Sequence, residues 1–355
     1  MNNRLKGKTV LVTGGTGSIG TEIVKQILNY DASKVIVFSR DEIKHFSLKK
    51  NLADHRLETT IGDIRDYRSI QRVFNDFDID LIYHAAAMKH VVVCEKFPVE
   101  AARTNILGTQ NIVDLATKYG TPKMISISTD KSAYPVNVMG STKFIAERIV
   151  LNANFSCVRF GNVANSHGSV IPIFIENLLN GKPITITNPN ATRFIMEIPD
   201  AVKLVMEATK YAQGGDLFIL KMKALKLGDL LDVILHKIAP RLDILEEDIK
   251  VNTIGLVDGE KLHEGLINST ESEFLFELNN TYVVLKNREN ALKYKNIKRI
   301  NSFCYTSNEV DLISKSEIEK IIINYFKKDS MRERLWEYLT NYSKKYVVQH
   351  AKEIY

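Results

Sequence analysis

From residue 8 to about residue 130, short apolar runs alternate with longer amphipathic stretches, a pattern that predicts βαβ units built on a parallel sheet. Residues 9–12, 34–38, 57–61, 81–84 and 123–128 read as strands, and residues 18–30, 68–77 and 99–119 read as helices between them. Residues 157–160 add a strand and residues 217–220 a last one. Crossovers between parallel strands are right-handed, so the expected architecture is α/β: a doubly wound parallel sheet of Rossmann type. Its ligand is expected at the carboxyl ends of the strands.

Beyond residue 160 the pattern becomes irregular. Segments 162–172, 180–193 and 249–264 are punctuated by Gly, Asn and Pro, as recognition loops on a rigid sheet often are. Residues 316–355 read as helical, with a charged face and a Tyr/Trp/Leu face suited to packing on the body of the protein or on a second copy. At 355 residues, 45% of them hydrophobic, the chain has room for a Rossmann domain, a smaller substrate domain and a proper core. The net charge of +6 contains no dense basic run; it suits an anionic small ligand, and no nucleic-acid partner is expected. Cys94, Cys157 and Cys304 are too widely spaced for a metal-ligand set or a disulfide framework, so no metal is expected and a reducing cytoplasm is. No apolar segment reaches membrane-spanning length and no signal-peptide segment precedes the first strand, so no membrane partner is expected either.

The sharpest local pattern is TGGTGSIG at residues 13–20, between a predicted strand and a predicted helix. Gly14 permits a tight turn, Gly17 lets the backbone approach a pyrophosphate, and Gly20 lets the helix pack closely on the sheet. Thr16, Ser18 and Ile19 complete the turn, and the helix start offers unpaired N–H groups and a positive dipole end to the phosphates. At the end of the second strand an NAD site tends to place an acidic residue for the ribose 2′-hydroxyl. Here Ser39 can hydrogen-bond a 2′-phosphate and Arg40 can pair with it and stack on adenine, which favours NADP. Asp41 lies past the strand end and reads better as a helix cap; an NAD site that uses Asp41 is the alternative. After the third strand, Asp63 can accept a hydrogen bond from the adenine amino group, with Ile64 beside it, although an ordinary turn aspartate also fits. Ala85 and Ala86 close the fourth strand with small side chains that leave room for the cofactor.

The chemistry-bearing segment is STDK at 128–131, at the end of a buried strand, followed by Lys143 at the start of a helix. A hydroxyl, a carboxylic acid and an amine in succession (Thr129, Asp130, Lys131) form a set able to donate and accept protons where a parallel sheet presents its ligand. A strand-capping ion pair is the bland alternative for Asp130 and Lys131. Lys143 can hydrogen-bond a nicotinamide ribose.

These motifs resemble the extended short-chain dehydrogenases/reductases, and within them the UDP-N-acetylglucosamine 4,6-dehydratases of bacterial glycan synthesis. The resemblance is carried in order by residues 13–20, SRDE at 39–42, GDIR at 62–65, AAAMKH at 85–90, Thr104-Asn105, STDK at 128–131 and PVNVMG at 135–140. It continues through RFGNV at 159–163, GSV at 168–170, TRF at 192–194 and GEKLHE at 259–264. The usual Tyr-x-x-x-Lys pair is Met139-x-x-x-Lys143 here, as in a capsule-type subgroup of these dehydratases, and a thioether cannot take a proton.

The resemblance implies the following chemistry. NADP+ accepts hydride from sugar C-4, Lys131 takes the C-5 proton as general base, and protonated Asp130 donates to the departing C-6 hydroxyl. Hydride then returns to C-6, giving a 4-keto-6-deoxy sugar, with C-5 inversion preferred and retention or 4-epimerisation as alternatives. A cofactor-binding scaffold without turnover is the reading from a different class. The resemblance further implies Lys89, His90, Asn162, Arg193 and Glu260 as contacts to the nucleotide-sugar substrate, and a homo-oligomer. The family carries Arg where this chain has Val257 and His167, which leaves the nucleotide base open. The expected organisation is a cofactor domain over 1–161, with 191–225 returning to it, a substrate domain from 162–190 and 226–315, and a helical segment over 316–355.

Overall fold

The computed structural model describes residues 5–166, 168–301 and 303–327. Two compact units divide the described residues: those from 5 to 161 with 198–222 and 264–306, and those of 162–197 with 223–263 and 307–327.

In the first unit, strands β1 (Thr9–Thr13), β2 (Lys34–Ser39), β3 (Leu57–Ile61), β4 (Leu81–His84), β5 (Lys123–Thr129), β6 (Ser156–Phe160) and β7 (Asp216–Leu220) form the parallel part of one sheet in the order 3-2-1-4-5-6-7. The chain order reverses between β1 and β4, where Thr13 lies opposite His84, and this switch point is where such sheets bind ligands. Val10, Leu11, Val12, Val35, Ile36 and Val37 are fully buried, because helices cover both faces. Each such side chain stabilises the fold by roughly 1.5–3 kcal/mol relative to exposure.

Helices α1 (Ser18–Leu28), α2 (Glu42–Leu52), α3 (Tyr67–Asp76), α4 (Val91–Lys96), α5 (Pro98–Ala102), α6 (Gly108–Lys118), α7 (Val138–Asn152) and α8 (Ile198–Tyr211) connect the strands. Side-chain caps start several of them: Asp41 accepts from the Lys44 N–H at α2, Asp66 from Arg68 at α3 and Asn137 from Gly140 at α7. Asp41 is thus the helix cap expected of it.

Three features differ from expectation. The single helix expected over 99–119 is α5 and α6 joined by a π-helical turn, Arg103–Leu107. Within that turn Asn105 points inward: Oδ1 accepts from Met88 N–H at 2.8 Å, and Nδ2 donates to Met88 O and to Thr142 Oγ1. The extra residue in the turn turns that amide toward the loop after β4 and toward α7. Second, residues 264–306 belong to the first unit and not to a continuous 226–315 segment. Strands β8 (Leu275–Leu278) and β9 (Thr281–Leu285) form a hairpin whose β9 pairs antiparallel with β7, and β10 (Lys298–Arg299) extends the edge. Third, the returning segment is 198–222, narrower than 191–225, because Thr192–Glu197 pairs instead within the second unit.

The second unit has its own apolar core, which includes Phe174, Ile175, Leu230, Ile234, Ile322 and Phe326. Strands Asn162–Ala164, Thr192–Glu197 and Lys223–Lys226 form a small sheet in it. The helix expected from 316 onward is seen as Lys315–Lys327; the remainder of that segment, and His167, lie outside the described residues.

Candidate functional site

The turn after β1 has no room for a Cβ at Gly14 or Gly20. Gly14 has φ +68°, and a Cβ there would lie 2.7 Å from Ala86 N and Cα; one at Gly20 would lie 2.2 Å from Gly14 O. Gly17 caps α1 with no side-chain hydrogen bond, and the first turn, Ser18 and Ile19 included, holds no acidic residue. This leaves backbone N–H groups and the positive end of an 11-residue helix facing the switch point. Ala85 N–H donates to Thr13 O at 3.0 Å, which draws Ala85 and Ala86 alongside the turn. Such a cradle fits the pyrophosphate of a dinucleotide.

At the end of β2, Ser39 Oγ lies 2.8 Å from Thr16 Oγ1 and 2.8 Å from His45 Nε2. His45 is a buried residue of α2 that the sequence had not marked; burial pushes its pKa down, so its ring is neutral beside the serine. Arg40 is exposed, with Nη1 3.7 Å from Asp63 Oδ2. Asp63 accepts from the Arg65 N–H and takes its guanidinium at 2.7–2.9 Å, so its carboxylate is already engaged. Ile64 is buried against Gly108, its backbone carbonyl held by Asn111.

At the end of β5, Asp130 is fully buried, and burial raises its carboxyl pKa against the opposing pull of Lys131. Its Oδ1 accepts from Thr129 Oγ1 at 2.8 Å and from Lys131 Nζ at 3.1 Å. Among the described residues, Oδ2 meets no hydrogen-bond partner. A buried carboxyl with one open oxygen and a raised pKa is suited to hold and give a proton. Lys131 Nζ also lies 3.3 Å from Glu264 Oε1. Glu264 had no assigned role from sequence, although it ends the GEKLHE motif; Gly265 brings it here by packing against the Tyr134 ring, where a Cβ would come within 2.8 Å.

Helix α7 supplies Met139 and Lys143. Met139 is buried against Cys94 and Ala101, and Lys143 Nζ donates to Ile127 O at 2.7 Å. Burial pushes the Lys143 ammonium pKa down, opposed by Glu147. His84, between Thr13 Oγ1 and Thr109 Oγ1, is pushed to about 3 by burial with Lys143 adding, so it is neutral and structural. Beneath the site, Arg159 is entirely buried and forks onto two buried carboxylates, Glu147 and Glu271, at 2.6–3.0 Å, with a further bond to Leu266 O. Glu147 Oε1 also accepts from Ser132 Oγ at 2.7 Å. One cation thus ties α7, the turn carrying Asp130–Lys131 and the segment carrying Glu264.

Of the expected substrate contacts, Lys89 and His90 are exposed just before α4, with His90 its N-cap. In the second unit the structure pairs two of them with each other: Arg193 Nη2 is 2.5 Å from Glu260 Oε1, which also accepts from Thr187 Oγ1. Arg193 further donates to Thr192 O and Leu262 O, so its head is fixed. Asn162 opens the strand beside Ile195.

A family model described as polysaccharide biosynthesis protein matches residues 10–286. The chain belongs to this family. A UDP-N-acetylglucosamine 4,6-dehydratase (inverting) of Campylobacter jejuni is 37% identical over 89% of this chain and 97% of its own. A protein called a UDP-glucose 4-epimerase, from Rickettsia canadensis, is 34% identical over 91% of this chain and 98% of its own. An uncharacterized membrane protein of Methanocaldococcus jannaschii is 42% identical over 91% of this chain and 97% of its own. Among the described residues of this chain, no helix is long and apolar enough to cross a membrane. The solved structure of Pen from Bacillus thuringiensis is 39% identical, covers 90% of this chain and 98% of its own, and superposes with a TM-score of 0.81. The fold is that of the extended short-chain dehydrogenases/reductases, and the family resemblance read from the motifs holds over most of the chain.

Proposed function

We propose that this chain is an NADP-dependent 4,6-dehydratase of UDP-N-acetylglucosamine that inverts C-5. The observation that carries the reading is the buried Asp130–Lys131 pair at the end of β5, two strands along the sheet from β1 and its dinucleotide cradle. A bound nicotinamide dinucleotide supplies the hydride acceptor for C-4 and the donor for C-6. The residues that would hold it are the turn from Gly14 to Gly20, Ser39, Arg40, Asp63, Ile64, Ala85, Ala86 and Lys143. NADP is favoured over NAD because β2 ends in Ser39 and Arg40, while Asp41 is committed to capping α2, with Lys44 Nζ 3.2 Å from its second oxygen.

The chain's own groups move the protons. Lys131 takes the C-5 proton, made acidic by the neighbouring C-4 ketone. Asp130, whose burial favours the protonated form, gives its proton to the C-6 hydroxyl, which leaves as water. Thr129 donates to Asp130 Oδ1 and so directs the acid proton to Oδ2. Met139 contributes shape and cannot take the C-4 hydroxyl proton released with the hydride, so that proton passes to solvent and not to a phenol at this position. Lys89, His90, Asn162, Arg193 and Glu260 are the proposed contacts to the sugar and its nucleotide.

The relatives called 4-epimerases favour one rival, and mass decides between them. Incubation with UDP-N-acetylglucosamine and NADP should yield a product lighter by one water. A product of unchanged mass would reassign the chain to epimerisation, for which Asp130 and Lys131 have no elimination to serve.

A further inference from the structure

We infer that Glu264 is the proton-holding partner of Lys131: it takes the ammonium proton inside the buried cluster and leaves the Lys131 amine able to accept a proton from carbon. The inference rests on the dehydratase reading and goes a step deeper, to how a lysine becomes a base at neutral pH. An ordinary lysine has a pKa of about 10.4 and at neutral pH is almost wholly charged, so it cannot act as a base.

The geometry offers a way out. Lys131 Nζ lies 3.1 Å from Asp130 Oδ1 and 3.3 Å from Glu264 Oε1, and the two carboxyls are 0% and 3% exposed. Two ionised carboxylates beside one ammonium would leave a net negative charge in a site that solvates it poorly, so one proton resides on a carboxyl. With that proton on Asp130, Lys131 and Glu264 form either an ion pair or a neutral pair. Moving one proton from Nζ to Oε1 breaks an N–H bond, forms an O–H bond and leaves a lone pair on Nζ, with no change in the charge of the cluster. The lone pair then takes the C-5 proton, while the C–H electrons move toward the C-4 carbonyl oxygen. Lys131 then passes its proton to the Asp130 carboxylate 3.1 Å away, while C-5 takes a solvent proton on the opposite face, which restores the neutral Lys131–Glu264 pair and the protonated acid of the resting state.

The placement of Glu264 is well supported. Gly265 packs on Tyr134, Asn268 Nδ2 donates to Ala133 O at 2.9 Å, and Arg159 holds Leu266 O at 2.8 Å. Among the described residues, Asp130 on its own turn and Glu264 opposite pair with the amine. Glu147 on α7, Arg159 on β6 and Glu271 stand behind, reached through Ser132. Glu264 acts through Lys131 and is a positioning residue.

The test uses Glu264→Gln and Glu264→Asp in the full chain, with three readouts. In Glu264→Gln, water loss should slow by about 100-fold or more at unchanged KM, the size expected of lost acid–base function. The pH at which dehydration reaches half its maximum should rise, because Lys131 must then lose its proton to solvent. Infrared difference spectra of the resting protein should show a protonated buried carboxyl that disappears in Glu264→Gln and a second that disappears in Asp130→Asn. Glu264→Asp, with a shorter reach, should fall between the two, and it carries the test should Glu264→Gln fail to fold. Wild-type rate, unchanged pH profile and an unchanged carboxyl band in these variants would overturn the inference. A wild-type protein that releases no water from any nucleotide sugar would instead sink the dehydratase reading, and the infrared bands would still report where the proton sits.

Discussion

The Arg159→Met substitution tests the scaffold under the site. Arg159 makes two forked pairs, with Nε and Nη2 on Glu147 at 3.0 and 2.6 Å and Nη1 and Nη2 on Glu271 at 2.8 Å. Burial opposes its charge, but Glu147 and Glu271 outweigh that and raise its pKa, while Arg159 in turn holds Glu147 below the usual carboxylate range despite burial. Methionine fills much of the volume and strands both carboxylates. Arg148 does not replace the lost cation, since it is half exposed and 3.9 Å from Glu271. Breaking a buried pair in this way costs about 3–5 kcal/mol, which for a unit of this size lowers Tm by on the order of 10 °C. The assay is urea unfolding as a function of pH. In the wild type, Glu147 has a depressed folded pKa, so its contribution is present above the ordinary value of about 4.3 and is lost as pH falls through the folded value. In Arg159→Met the counter-charge is gone, Glu147 is penalised when ionised, and stability should instead rise as the pH is lowered toward 4. Adding Glu147→Gln and Glu271→Gln should recover most of the loss. A single variant within about 1 kcal/mol of wild type, with the same pH slope, would refute the reasoning.

Asp130→Asn should abolish dehydration and at the same time stabilise the fold at neutral pH. Asp130 has a raised folded pKa, so its stability is fully present below the unfolded value of about 3.9 and is lost as pH rises through the folded one; the gap to Asn should therefore close in acid. A Tm difference independent of pH would count against the buried-acid assignment. Gly20→Ala should weaken dinucleotide binding by about 10-fold or more in calorimetry, since its Cβ would meet Gly14 O at 2.2 Å and the turn must shift. Gly17→Ala, whose nearest contact is 3.3 Å, should disturb the fold less. Arg40→Ala should cost NADP affinity by roughly 1.5–3 kcal/mol and leave NAD affinity unchanged; equal losses for both would mean that Arg40 does not read the 2′-phosphate.

The parallel strands and the glycine turn were legible because both obey short-range rules: apolar runs bounded by turn residues, and glycines at positions where a Cβ meets backbone. The hairpin of β8 and β9 also carried a local signal that went unread. Asn279 has φ +53° in an Asn-Asn turn between strands whose burial alternates, and that pair marks a two-residue hairpin. The π-helical turn at Arg103–Leu107 left no such trace, since its apolar spacing still reads as an ordinary helix and only the inward amide of Asn105 distinguishes it. Asp130 and Lys131 could be named from the strand end that presents them, and Lys143 from the helix that follows. Glu264, Arg159 and His45 could not, because their roles come from partners brought together by the sheet and by the packing of Gly265 on Tyr134. Arg193 and Glu260 were each visible as polar residues in a loop-rich stretch, but their mutual ion pair was not.

Substrate deuterated at C-4 tests the central claim most directly, because it follows one hydrogen through the whole turnover. The account predicts a product lighter by one water whose C-6 methyl group carries the deuterium, with a solvent hydrogen at C-5. Deuterium retained at C-4 in a product of unchanged mass, or lost to solvent, would contradict it.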